Sequence, residues 1–141
     1  MFQRTLFILL VVALLLTACC GSQPAPASNA PACSADNCKA LFAKAVIGSG
    51  LPGCATCHSL EKGKTLVGPS MAGIATAAEK TIKEADYKGT AKTAADYLRE
   101  SIVNPDAYVA KGFTKGIMVK DFGKLPEQEI ADLVAYLITL K

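Results

Sequence analysis

Five residues constrain this chain more than any others: Cys54-Ala55-Thr56-Cys57-His58. Two thiols about one helical turn apart, followed at once by an imidazole, form the spacing by which a c-type haem is attached. The chemistry asks for that spacing. Each thiol can form a thioether to one of two vinyl groups on the macrocycle, and the adjacent imidazole then reaches the iron from the same side. His58 is the single histidine of the chain, and it stands at the one position the pattern requires. Three other readings compete. A redox dithiol shares Cys-x-x-Cys but should follow a strand in a βαβ unit, and no such unit is visible. A zinc site would recruit Cys33 and Cys38, fifteen residues ahead of Cys54, near zinc-ribbon spacing. A structural disulfide is the third. The register of the one histidine favours haem over all of them.

The start of the chain agrees. Arg4 precedes an unbroken apolar run from Leu6 to Leu16. As a helix those residues rise only about 16 Å, too short for a hydrocarbon core of about 30 Å. Residues 1–18 therefore read as a signal peptide rather than a membrane span. Leu16-Thr17-Ala18-Cys19 resembles a bacterial lipobox, in which the cysteine is diacylated and becomes the new N-terminus. An ordinary cleavage site with an incidental cysteine is the alternative. Cys20, directly after, has no assignable fate. Gly21 to Ala32 carries neither charge nor a large apolar side chain, so it cannot bury enough surface to offset its ordering entropy. Residues 19–36 read as an anchor and linker, with a reach of about 20 Å as a coil and about 37 Å if extended. A single small domain is expected over 37–141.

The full-chain charge is +3, and losing Arg4 with the signal leaves 14 basic against 12 acidic residues. So weak a balance argues for no nucleic-acid partner, and any docking field must come from local patches.

The folded part reads as helices joined by loops. Asp36 is placed to cap a first helix running to about Ile47, with Leu41, Phe42, Ala45 and Val46 as its apolar stripe. Gly48-Ser49-Gly50 ends it, and Pro52-Gly53 turns the chain into the cysteine motif. Cys33 and Cys38 flank the helix start, and outside the cytoplasm such a pair can form a staple, stay free or bind zinc. Ser70 is placed to cap a helix from Met71 to Ala78, and a further helical turn is expected from Ile82 to Tyr87. Thr93 to Asp96 reads as the cap of a helix from Ala94 to Val103, stopped by Asn104-Pro105. Asp106 to Leu125 holds three glycines and no sustained period, which predicts loop. Pro126 opens a last helix whose stripe is Ile130, Leu133, Val134, Leu137 and Ile138, with Glu127 and Glu129 at its start. No strand with period two is visible. The fold class expected is all-α.

Cys54 to His58, then Gly68-Pro69, then a methionine in a glycine-flanked loop, then the helix with Leu133-Val134-Ala135-Tyr136-Leu137 resemble a class I cytochrome c. The passage from Tyr97 to Pro105 also resembles cytochrome c domains of membrane respiratory complexes. Lipobox, linker and one haem together are similar to lipoprotein cytochromes of the quinol-oxidising alternative complex III. The resemblance implies one covalent haem c and four to five helices around it. It also implies His58 as one axial ligand and a methionine as the other. Met118 holds the family position, whereas Met71 falls where the family packs an aliphatic residue. The family shows Met-Pro, but Val119 follows Met118 here, which implies a looser loop. The resemblance gives Pro69 a role too: its carbonyl takes the His58 Nδ1–H and fixes the ring. Lys44, Lys62, Lys64, Lys80, Lys111 and Lys115 are candidates for a ring about the haem edge, and Tyr97 and Arg99 for contacts to its propionates.

Two function classes follow. His/Met ligation gives a six-coordinate one-electron carrier, closed to substrates. A five-coordinate haem would make an enzyme or sensor, such as a peroxidase or gas-binding cytochrome. Peroxide chemistry wants a distal acid–base group, and no second histidine exists to supply it. Gas-binding four-helix cytochromes carry their motif near the C-terminus, and here it comes early. The carrier reading is preferred: not an enzyme, lipid-anchored at the extracytoplasmic face of a bacterial membrane. Its expected partners are membrane electron-transfer complexes, namely a quinol-oxidising complex, a terminal oxidase or a photosynthetic reaction centre.

Overall fold

The computed structural model describes residues 33–141. The expected signal peptide, Cys19, Cys20 and the linker to Ala32 lie outside the described residues. Among the described residues no helix is long and apolar enough to cross a membrane.

The first helix, α1 (Ala35–Ala43), begins at Ser34, whose Oγ accepts the Asn37 N–H at 3.4 Å. The cap is thus Ser34 and not Asp36, and the helix takes its first residues from the segment read as linker. It also stops at Ala43, short of Ile47. Val46–Ile47 (β1) pairs antiparallel with Leu51–Pro52 (β2), so two short strands stand where helix was expected. Gly48 and Gly50 turn between them at φ 52° and 106°, values that disfavour any side chain. Leu41 and Phe42 are buried as expected, whereas Ala45 and Val46 face solvent. Cys33 and Cys38 are joined in a disulfide across the start of α1.

The hairpin delivers the chain into the single turn α2 (Cys54–Cys57). Helix α3 spans Ile74–Thr81, three residues later than predicted. Ser70 does not cap it. Its hydroxyl donates to the Glu61 carbonyl at 2.7 Å and accepts the Ala72 N–H at 3.1 Å, a local turn that holds off the helix until Gly73. Ile82 to Tyr87 continues as turns rather than helix.

Helix α4 (Ala94–Val103) has the predicted bounds. Thr93 Oγ1 accepts the Asp96 N–H, and the Asp96 carboxylate accepts the Thr93 N–H, a reciprocal cap. The segment read as pure loop contains a 3-10 helix, Lys120–Lys124, which buries Phe122. Helix α5 (Glu127–Leu137) follows Pro126 and buries Ile130, Leu133, Tyr136 and Leu137.

Helices α1 and α5 cross with the Phe42 and Tyr136 rings 5.5 Å apart. The Cys33 N–H also donates to Asp132 Oδ1 at 3.2 Å, fastening the start of the domain to α5. Helices α4 and α5 pack together, α3 lies on α4, and the 3-10 helix packs on α4 as well. Five α-helices with one small hairpin enclose the core: the class is all-α.

Candidate haem centre

The turn α2 places Cys54 and Cys57 on the wall of a largely apolar cleft, with His58 directly after. Burial pushes the Cys54 thiol up to about 11, against a smaller opposing effect of a backbone hydrogen bond. His58 Nδ1 lies 2.9 Å from the Pro69 carbonyl oxygen. A carbonyl only accepts, so Nδ1 carries the proton and Nε2 keeps its lone pair for a metal. Met71 N–H donates to the Ser59 carbonyl at 2.8 Å and Gly68 N–H to the Cys57 carbonyl at 2.9 Å. These bonds zip residues 68–71 against the motif.

Gly68 has a role that sequence reasoning missed. A Cβ built there would stand 2.7 Å from His58 Nδ1 and 3.1 Å from Nε2. The bare backbone at Gly68 is therefore the shelf on which the imidazole rests. Its position before Pro69 was the only signal.

Leu98 and Ile102 from α4, Leu133 and Leu137 from α5, and Phe42 from α1 supply much of the apolar wall. Met118 lines the same cleft from the 106–119 loop and is partly buried against the core. Met71 also lines it, and is buried among core residues. Tyr97 lines it too, and burial raises its phenol, keeping it neutral and able to donate. Tyr87, Tyr97 and Tyr108 pack edge to face or tilted, with centroids 5.4–6.2 Å apart.

Other candidates fall elsewhere. Arg99 is absent from the cleft wall and pairs at 2.8 Å with Glu127 on the surface. None of the six lysines proposed as an edge ring lines the cleft. Lys64 pairs with Glu61 at 2.8 Å, and Lys111 with Glu84 at 2.7 Å and Asp86 at 3.5 Å. The zinc reading fails as framed: Cys33 and Cys38 are bonded to each other, with Asp132 nearby rather than Cys54 or Cys57.

A cleft with apolar walls, two half-buried free thiols, an imidazole with one free nitrogen and a thioether sulfur fits a flat, apolar, iron-bearing macrocycle. The donor set suits haem iron. No curated protein and no solved structure matches the chain. Residues 35–141 match the family model described as Cytochrome c, and with the all-α architecture and this cleft the chain belongs to the cytochrome c family, as a class I haem-binding electron-transport protein.

Proposed function

We propose that the protein is a membrane-tethered one-electron carrier. Its single haem is held by thioethers from Cys54 and Cys57 and ligated by His58 and Met118. The observation that carries this reading is the His58–Pro69 bond, which leaves Nε2 free within a cleft that Met118 and both cysteines also line. Bound there, the haem supplies a reversible one-electron couple, which His/Met ligation raises in potential.

The chain's own residues do the rest. Pro69 and Gly68 fix the imidazole's tautomer and plane, so little ligand reorganisation accompanies an electron's passage. The leucine and isoleucine walls exclude water and lower the local dielectric.

Cys19 carries the lipid in this reading, and the linker holds the domain within about 20–40 Å of the bilayer. Confinement there favours exchange with membrane complexes that oxidise quinol or reduce oxygen.

The test uses the haem-loaded full chain. The ferric protein should show a sulfur-to-iron charge-transfer band that Met118→Ala abolishes, while opening the ferrous iron to carbon monoxide. An intact band in Met118→Ala, lost instead in Met71→Ala, overturns the ligand assignment. In membranes, Cys19→Ser should abolish lipidation by mass spectrometry.

A further inference from the structure

Asp106 follows Pro105 on the turn that closes α4, where the Ala107 N–H donates to the Asn104 carbonyl at 2.9 Å. Its side chain is only 11% exposed. One carboxylate oxygen, Oδ1, accepts the Gly116 N–H at 2.9 Å. The other, Oδ2, lies 2.7 Å from the Lys120 ammonium. Gly116 and Lys120 stand two residues before and two residues after Met118. One side chain on a fixed turn therefore holds both flanks of that methionine.

The backbone is built for this grip. Gly116 has φ 83°, which a side chain would strain, so glycine lets its N–H point at the carboxylate. Beyond Lys120, the 3-10 helix runs so close to α4 that a Cβ at Gly123 would come 2.8 Å from the Val103 carbonyl oxygen. The chain on either side of Met118 thus meets the end of α4 and the turn after it. What the loop lacks is a ring-locked residue after Met118, because Val119 stands there, 38% exposed.

We propose that Asp106 is a positioning residue for Met118, doing through a two-point clamp what a proline after the methionine would do through backbone stiffness. The inference rests on Met118 being the iron's second ligand. A thioether is a neutral, weak ligand whose hold depends on the loop presenting the sulfur. Releasing either flank lets the loop open more often, and each opening exposes the iron to external ligands. The donors and cations around Asp106 favour its ionised form, against a smaller opposing effect of burial. The Lys120 ammonium comes first, then the Gly116 N–H, with Lys115 adding to the field, and together they hold its carboxyl below the ordinary range.

The experiment measures imidazole binding to the ferric, haem-loaded full chain. At saturating imidazole the rate is limited by departure of Met118, so it reads loop opening directly. Asp106→Asn and Lys120→Met should each raise that limiting rate about three- to fivefold, the upper scale for an ion pair with one exposed partner. The double variant should be little faster than either single one, because both remove the same link. Asp106→Glu should restore part of the grip. Denaturant midpoints should move far less than the imidazole rates, which separates positioning from general stability.

Limiting rates within twofold of the parent in both single variants overturn the clamp, as do rates that rise only in step with global destabilisation. If Asp106→Asn fails to take up haem, Lys120→Met still decides, since that side chain is 66% exposed. Met118→Ala keeps the two readings apart. A charge-transfer band that survives it removes the ligand assignment itself. A band that it abolishes, with unmoved rates in the Asp106 and Lys120 variants, removes only the clamp.

Discussion

Gly68→Ala should damage the haem centre by sterics alone. Gly68 is not among the glycines with positive φ, so alanine meets no backbone strain there. Its methyl would sit 2.7 Å from His58 Nδ1 and 3.1 Å from Nε2, well inside contact distance. If the ring stays, the overlap costs about 1–3 kcal/mol, as for overpacked cores. If the ring moves, it gives up the 2.9 Å bond to Pro69, and an unsatisfied partly buried carbonyl costs about 1–3 kcal/mol. Movement trades one cost for the other, so the total stays at about 1–3 kcal/mol rather than the sum of the two. Against a typical stability of about 5–15 kcal/mol that loss is large. Guanidinium unfolding of the haem-loaded protein, followed by haem absorption and by far-ultraviolet circular dichroism, reads it. Gly63→Ala is the control. Its φ of 74° penalises alanine by about 1–2 kcal/mol, but the surrounding space is open and the haem spectrum should not change. A Gly68→Ala protein within about 0.5 kcal/mol of the parent, with unchanged haem spectrum, would refute the shelf.

In the unreduced folded protein neither Cys33 nor Cys38 should alkylate, and mass spectrometry should find them linked. Cys38→Ser should cost about 2 kcal/mol from the short closed loop, and more because Cys38 is 2% exposed. Tyr87→Phe should act through Glu100. Burial raises that carboxyl, but donors from Tyr87 and Thr90 outweigh it and hold it below its ordinary value. A depressed carboxylate contributes stability above its unfolded pKa and loses it as pH falls through the folded value. The parent should therefore exceed Tyr87→Phe in stability at neutral pH, with the gap narrowing in acid. A gap that is the same at every pH would show that only packing was lost.

Where a signal is local, the chain was legible. Helix α4 has the bounds its residues announce, because Thr93 and Asp96 satisfy each other's backbone donors and Asn104-Pro105 forbids another turn. Helix α5 is equally plain, since its buried stripe recurs at helical spacing. The failures share one cause: a local pattern with two uses, between which distant contacts choose. Ala45 and Val46 extend the apolar period of α1, yet Ile47 finds a strand partner in Leu51, and two-residue strands are too short to show a period. Ser70 looks like a cap, but the Glu61 carbonyl nine residues back claims its hydroxyl.

The haem centre divides along the same line. Its Cys-x-x-Cys-His motif is local and can be read as a word, from Cys54 to His58. Its second layer could not. Gly68 reads as an ordinary turn glycine until the imidazole of His58, ten residues earlier, is laid on it. Asp106 reads as the first residue of a loop until the fold returns Gly116 and Lys120 to its two oxygens. The departure at Val119 is visible in the sequence, and in an isolated loop it implies slackness. In the folded chain the same loop is tied on both sides of Met118 to Asp106, on the turn after α4, so a missing proline does not by itself mean a mobile methionine. Stiffness supplied by a backbone ring is written at one position. Stiffness supplied by a carboxylate is shared among three, and only the fold brings them together.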